Sequence, residues 1–348
     1  MQSPTPAHFH LADDPLFLRH RSRGYHPERP ERLGAARRAI ERVAEEGLVA
    51  SPLPPRDATP AELGRAHDAG YLAELARLAG HHAALDADTY VSPDSVAAAY
   101  RAAGATIAMV EALLAPEGPR TGVALLRPPG HHATRDRGMG FCLLNNAAIG
   151  ALHALDRGLA RVAIVDWDVH HGNGTQDIFW TDPRVLYVSL HQAPFYPGTG
   201  AREETGEGPG QGTTLNVPLS EGATSAAFHL AFTRVILPAL RAFAPELVLV
   251  SAGFDAHVRD PLASMLVDEA AYGSMAASLA QVAAESAGGR IALLLEGGYD
   301  LSAIELSLAA SIRGLFGRAP EEVPGEVSEA HRAEIEAARA VAARAFSL

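Results

Sequence analysis

The sequence predicts an α/β fold in which a parallel sheet is covered by helices on both faces. Three observations predict it. Six short runs are nearly continuous in apolar, β-branched character, the pattern of strands buried on both sides. The segments between them repeat apolar residues at helical spacing, which implies βαβ units. Five of the runs end in a cluster of polar residues and glycine, and in open α/β sheets the site lies beyond the carboxyl ends of the strands.

Each element follows in chain order. Pro30–Glu46 carries charged and apolar residues in amphipathic alternation and predicts a helix near the start. Ser51–Pro60 is proline-rich and reads as a surface loop. Pro93–Leu114 places Val96, Ala99, Ala103, Ile107 and Val110 on one helical face. The first predicted strand, Gly122–Arg127, runs into Pro-Pro-Gly-His-His at 128–132. A helix over Asn145–Leu159 precedes the strand Arg161–Asp166, which opens into Asp-Trp-Asp-Val-His-His-Gly-Asn-Gly at 166–174. Val185–Leu190 leads to Ser189-Leu190-His191. Gly206–Gly212 lacks both the Gly-x-Gly-x-x-Gly spacing and a following helix of a phosphate site, and reads as a plain loop before the strand Thr213–Pro218. After the helix Thr224–Phe243, Leu247–Ser251 leads to Ser-Ala-Gly-Phe-Asp-Ala-His at 251–257. After the helix Asp268–Ser286, Arg290–Leu295 leads to Glu-Gly-Gly-Tyr-Asp at 296–300. Helices over Leu301–Phe316 and Ser328–Phe346 complete the chain, the last with a solvated charged face. No Ser/Gly linker or repeat divides the sequence, so residues 1–348 are expected to form one domain, although the length alone suggests about two.

Composition narrows the chemistry. The 348 residues carry 29 basic and 41 acidic side chains, a net charge of −12. That balance argues against nucleic acid as the main partner, because phosphate binding needs a basic face. All the basic residues are arginine, which is most simply a coding bias. No run of eighteen apolar residues occurs and Met1–Gly24 has no apolar core, so a soluble, cytoplasmic protein with no membrane partner is expected. The single cysteine, Cys142, excludes an internal disulfide and a multi-cysteine metal site; it lies in none of the clusters and reads as a small buried residue.

The clusters therefore leave aspartate and histidine to carry the chemistry. Asp168, His170 and Asp255 offer two carboxylates and one imidazole, three protein ligands with an open fourth position, which is the plan of a catalytic Zn²⁺ site. Residues two apart at a strand end point to one side, so Asp168 and His170 reach one ion. Ser251 has no evident base partner, and a metal-activated water is the simpler nucleophile. His131 and His132 fit acid–base work, with Asp166 and Asn173 as orienting acceptors for their rings. The charged partner favours a cationic His131, and the neutral one leaves His132 poised near neutral pH. Tyr299 can donate a hydrogen bond to a developing oxyanion. A His-His pair taken alone is more often structural, and His81–His82 keep that reading.

These motifs resemble the histone deacetylase family, including bacterial deacetylase-like amidohydrolases and acetylpolyamine amidohydrolases. The resemblance rests on His-Pro-Glu-Arg-Pro-Glu-Arg-Leu (26–33), Arg-Pro-Pro-Gly-His-His-Ala (127–133), Gly-Met-Gly-Phe-Cys-Leu-Leu-Asn-Asn (138–146), 166–174, Tyr-Pro-Gly-Thr-Gly (196–200), Ala-Gly-Phe-Asp-Ala-His (252–257) and Glu-Gly-Gly-Tyr (296–299). It implies the three-layer α-β-α arginase–deacetylase fold with a mainly parallel eight-stranded sheet, two strands more than the runs above. It implies one Zn²⁺ on Asp168, His170 and Asp255, with His132 as general base and acid, His131 as its electrostatic partner held by Asp166, and Tyr299 polarising the amide carbonyl. Gly140, Phe141 and Tyr196 would line a narrow channel. A structural K⁺ would use Asp166, Asp168, Ser189 and the carbonyls of His170 and Leu190. Asn173 and Glu296 are the residues of the class II branch. Leu262 stands where eukaryotic polyamine deacetylases carry a gatekeeper Glu. Gly172 and His257 depart from the two-metal pattern of the related arginases, so a second catalytic metal is not expected.

The expected function is thus zinc-dependent hydrolysis of an acetylated amine, foremost acetyl-lysine in a peptide or protein, with small acetylated polyamines as the alternative. A non-catalytic acyl-lysine-binding module would have lost a ligand or Tyr299, and every position is present. The sequence leaves open acyl length, oligomeric state and whether iron replaces zinc.

Overall fold

Eight strands form one sheet in which every neighbouring pair runs parallel, in the order β2-β1-β5-β10-β9-β6-β7-β8. In chain order the strands are β1 (Ala7–Ala12), β2 (Leu48–Pro52), the two-residue hairpin strands β3 (Ala83–Ala84) and β4 (Tyr90–Val91), β5 (Thr121–Ala124), β6 (Val162–Asp166), β7 (Val185–Gln192), β8 (Thr214–Leu219), β9 (Leu247–Ala252) and β10 (Ile291–Leu295). They belong to a computed structural model that describes residues 7–320 and 322–346. Strands β6, β7, β9 and β10 are buried along their whole length. Their Val, Leu, Ile and Ala side chains meet helices on both sides, as continuous apolar runs require.

The helices are α1 (Glu31–Ala44), α2 (Pro60–Leu63), α3 (Ala69–Arg77), α4 (Ser95–Leu114), α5 (Asn146–Asp156), α6 (Asn173–Phe179), α7 (Ser225–Ala231), α8 (Leu237–Phe243), α9 (Glu269–Ser286), α10 (Leu301–Leu315) and α11 (Glu329–Phe346). One group, α1, α10 and α9, packs together and against the sheet; a second, α4 and α5, does the same; α11 closes over β8. The result is the eight-stranded α-β-α sandwich that the family resemblance implies. Helix starts are set by side-chain caps. Asn145 accepts from Ala148 N, Asp268 from Ala270 N and Ala271 N, and Asp300 from Ala303 N, each satisfying backbone donors that a helix leaves unpaired at its start.

Three expectations are corrected. The runs of sequence miss β1 and β2, which sit together at one edge of the sheet and interleave His8, His10 and Ser51 with apolar residues. Ser51–Pro60 is a loop only in its middle, since β2 takes its start and α2 begins at Pro60. The helix expected over 224–243 is interrupted by a π-turn at Phe232–Ile236, where Leu237 N–H reaches back to Phe232 O. Pro238 explains the wider turn, because it brings no N–H and its ring crowds the preceding carbonyls. Two helical stretches, Ser95–Leu114 and Ser225–Phe243, are long and apolar enough to cross a membrane by length and composition; the first packs against the sheet and α5, the second against α9 and α11.

Candidate active site

Because all eight strands are parallel, their carboxyl ends share one edge, and the loops leaving β5, β6, β9 and β10 converge there. The chain leaves β6 at Asp166 and bends through 167–172 before α6. In that bend Asp168 Oδ1 accepts from His170 N at 2.9 Å, and the His170 ring Nδ1 stands 3.0 Å from the same oxygen. Asp168 and His170 therefore meet through a turn and not through strand alternation. From the loop after β9, Asp255 Oδ2 approaches His170 Nδ1 to 3.2 Å, while Asp255 Oδ1 accepts from Val169 N at 2.9 Å. From the turn after β10, Gly297 N donates to Asp168 Oδ2 at 2.8 Å. A Cβ at Gly297 would stand 2.2 Å from Asp255 Oδ2 and 2.5 Å from Asp168 Oδ2, so only glycine lets this backbone approach.

One ligand atom from each of Asp168, His170 and Asp255 lies within 4.8 Å of the others. Both carboxylates are buried, and Asp255 Oδ2 has no hydrogen bond beyond its approach to the His170 ring. A buried carboxylate oxygen so sparsely partnered is costly. Burial and the Asp168 charge both push the Asp255 carboxyl up. Burial opposes a charge on His170, but Asp168 and Asp255 outweigh it and raise its pKa to about 10. The pair of carboxylates thus demands a cation, and a divalent ion at this point would take the place of the His170 proton. The donor set fits one Zn²⁺ or Fe²⁺ with an open position.

The two histidines after β5 are oriented as expected. His131 Nδ1 lies 3.0 Å from Asp166 Oδ2, His132 Nδ1 lies 2.8 Å from Asn173 Oδ1, and the rings are 4.0 Å apart. Burial disfavours a charged His131, yet Asp168 and Asp166 hold its pKa well above 6.5. Burial, with cationic His131 and His170 alongside, drives His132 well below 6.5 instead of leaving it near neutral pH. Asn173 Oδ1 can only accept, so His132 carries its proton on Nδ1 and presents Nε2 as a free base.

Aromatic rings wall the approach. Tyr299 is 8% exposed and Tyr196 39%, which puts the first at the floor and the second at the mouth. The Phe141 ring stands perpendicular to Tyr299 at 5.9 Å, and Tyr196 stands edge-on to His132 at 5.2 Å. Gly140 has φ +54°, and a Cβ there would meet the His132 ring at 2.4 Å. Phe141 itself is left-handed at φ 68°, a strained conformation held in part by its N–H to Thr89 Oγ1 at 3.0 Å. Leu262 lies on the loop after β9, half-buried, tied to the site by its N–H to Asp260 Oδ1 at 3.0 Å. Of the residues assigned to a K⁺ site, Asp166 and Ser189 face each other in the β6–β7 register, Asp168 N donates to Asp166 Oδ1 at 3.1 Å, and Leu190 and His170 follow in the same two segments.

Several participants escaped the sequence. Phe195 stacks on His170 at 5.2 Å. Asp260 Oδ2 accepts from Tyr299 N at 2.6 Å and Asp300 N at 3.2 Å, and burial beside Asp255 pushes its carboxyl up to about 7. The Arg32 guanidinium lies 5.2 Å from the Tyr299 ring centroid, donates to Gly298 O at 2.6 Å and also to Glu296 O. Glu28 binds both Arg32 (3.1 Å) and Arg127 (2.7 Å), all three fully buried. Cys142 is not remote from the clusters as expected: its sulfur packs within 4.8 Å of ligand atoms of His131 and Glu296, with Gly140 O as acceptor at 3.3 Å. Ser251 donates to Glu296 Oε1 at 3.4 Å, beneath the site. The charged motif at 26–33 was a visible signal for Glu28 and Arg32; nothing in it told which partners they would meet.

The family described as Histone deacetylase domain matches residues 26–315. Histone deacetylase 14, chloroplastic, of Arabidopsis thaliana is 45% identical over 234 residues, 66% of this chain and 55% of that protein; the aligned part thus spans about half the length of this plant relative. The histone deacetylase-like amidohydrolase of Pseudomonas aeruginosa is 39% identical over 298 residues, 84% of this chain and 77% of that one. The crystal structure of the HDA15 HD domain superposes with a TM-score of 0.89 at 36% identity, covering 99% of this chain and 97% of that chain.

Proposed function

The chain belongs to the histone deacetylase family, and from that premise we propose that this hydrolase is a zinc-dependent deacetylase of acetyl-lysine in peptides or proteins. The observation that carries the reading is the set Asp168, His170 and Asp255, whose ligand atoms lie within 4.8 Å of one another beside the His131–His132 pair. Those three residues would hold the ion, which when bound supplies Lewis-acid polarisation and a more acidic water. His132 Nε2, neutral and oriented by Asn173, takes the water's proton and returns it to the departing amine. His131, paired with Asp166, keeps a positive charge beside the reacting centre. The buried Tyr299 hydroxyl, whose pKa burial raises well above 10, stays protonated and donates to the developing oxyanion. Phe141 and Tyr196 exclude water around an extended acyl-lysine side chain. A monovalent cation at Asp166 and Ser189 would support the loop behind the metal, and the cytoplasm is the proposed location.

A second reading, a small acetylated polyamine as substrate, is favoured by one observation. Burial foremost, and the Asp88 and Asp86 charges after it, raise the pKa of Tyr196 at the mouth, and such carboxylates suit a distal ammonium. The test is direct. Zinc content of the purified protein should be about one per chain, chelation should abolish hydrolysis of an acetyl-lysine peptide, and added zinc should restore it. A zinc-loaded protein that cleaves neither acetyl-lysine nor acetylputrescine overturns the proposal, and faster turnover of acetylputrescine installs the second reading.

A further inference from the structure

A cavity of about 260 Å³ lies beside the channel, lined by Arg21, Ser22, Arg23 and His82 with Tyr90 and Val91 behind them. The protein carries a net charge of −12, and many of its arginines pair with carboxylates, as Arg19 does with Asp94 and Arg37 with Asp13. Among the described residues, neither Arg21 nor Arg23 has a carboxylate within 4.0 Å. Arg21, Arg23 and His82 thus line one concavity whose lining holds no carboxylate, in a molecule that has acidic residues to spare.

The cavity is built and placed. Arg21 N donates to Ser92 Oγ at 3.3 Å, Ser92 Oγ pairs with Ser95 Oγ at 2.8 Å, and Ser22 Oγ caps the turn at Gly24 O at 2.6 Å. Its Tyr90 wall stacks on His20 at 4.3 Å and meets the His26 ring edge-on at 4.8 Å; His26 in turn meets Phe141 of the channel at 4.7 Å. Two ring contacts therefore separate the cavity from the channel wall. An extended peptide advances about 3.3 Å per residue, so that separation corresponds to roughly two or three residues.

We propose that Arg21, Arg23 and His82 form an anion-binding subsite at the channel rim, which selects acylated peptides carrying a carboxylate or phosphate two or three residues from the acyl-lysine. The inference rests on the deacetylase reading and adds the class of substrate. Guanidinium groups recognise both anions through paired N–H donors. The Asp86 and Asp88 carboxylates lie on the turn of the same β3–β4 hairpin but outside the cavity's lining, and a substrate carrying only cations would meet the arginines unfavourably.

The test uses zinc-loaded full-length protein and acetyl-lysine peptides that differ only in Glu, phosphoserine, Ala or Lys at two and three residues on either side. The Glu and phosphoserine peptides should exceed the Ala peptide in kcat/KM by about three- to tenfold, with Lys below Ala, and the differences should shrink at roughly 0.5 M salt. The relative rates of Glu and phosphoserine tell which anion the subsite prefers. R21S/R23S should level the series while leaving hydrolysis of a small uncharged acetyl-lysine reporter unchanged. A flat series in the native protein, a preference for Lys, or a preference that survives R21S/R23S overturns the subsite but not the deacetylase reading. Failure to cleave even the uncharged reporter overturns both.

Discussion

Tyr299 shows how a single side chain is prepared for its work by neighbours that never touch substrate. Its backbone N–H is fixed by Asp260, its ring rests near the Arg32 guanidinium, and its following residue Asp300 caps α10. Tyr299→Phe keeps the ring packing and removes only the hydroxyl. Turnover should therefore fall by roughly 10²–10³ with zinc content unchanged; equal turnover would refute the oxyanion role, and lost zinc would show a structural one. The residues proposed to do the chemistry were legible because Asp, His and Tyr after apolar runs have few structural reasons to be there. Their supports were less so. Asp260 serves through a carboxylate that binds backbone N–H groups, and nothing in Asp-Pro-Leu-Ala announces which turn it holds. Cys142 looked isolated only because it is ten residues beyond His132 in sequence; the turn through Gly140 folds it back beneath His131.

At the scale of elements, the buried Arg127–Glu28–Arg32 cluster joins the loop after β1, the end of β5 and the turn between β10 and α10. Two arginines hold the Glu28 carboxyl well below the usual carboxylate range against the opposing effect of burial. Glu28→Gln leaves two buried guanidinium groups facing a neutral amide, which should cost about 3–5 kcal/mol in urea unfolding; a loss under about 1 kcal/mol would show that the cluster relaxes. Such a cluster is invisible in sequence because its members lie in separate segments and none is periodic. The strands divide in the same way. Those buried on both faces, β6, β7, β9 and β10, were legible as apolar runs, whereas β2 at the sheet's edge ends in Pro and β1 beside it alternates His and apolar residues.

The whole molecule has a pH dependence set partly by histidines outside the active site. His67 accepts from Asn145 N at Nε2 (2.9 Å), stands 2.8 Å from Thr134 O at Nδ1, and is lowered by burial from 6.5 to about 4. His20, buried against Ser95, falls to about 3. Because the folded values lie below the unfolded one, the unfolded chain takes up protons first as pH falls. Stability is full above about pH 6.5 and declines toward pH 4, by roughly 3 kcal/mol from His67 alone. His67→Gln should flatten the slope of unfolding free energy across that window; an unchanged slope would assign it to other groups. One feature of the floor has a use of its own. The only thiol in the molecule is fully buried beside His131, with its pKa raised by burial and by Glu296. A maleimide can therefore reach it only when the sheet's carboxyl edge comes apart, so the labelling rate of the native protein is a clock for that opening. Ligands that seat in the channel should slow the clock in proportion to their occupancy, whether or not they are hydrolysed.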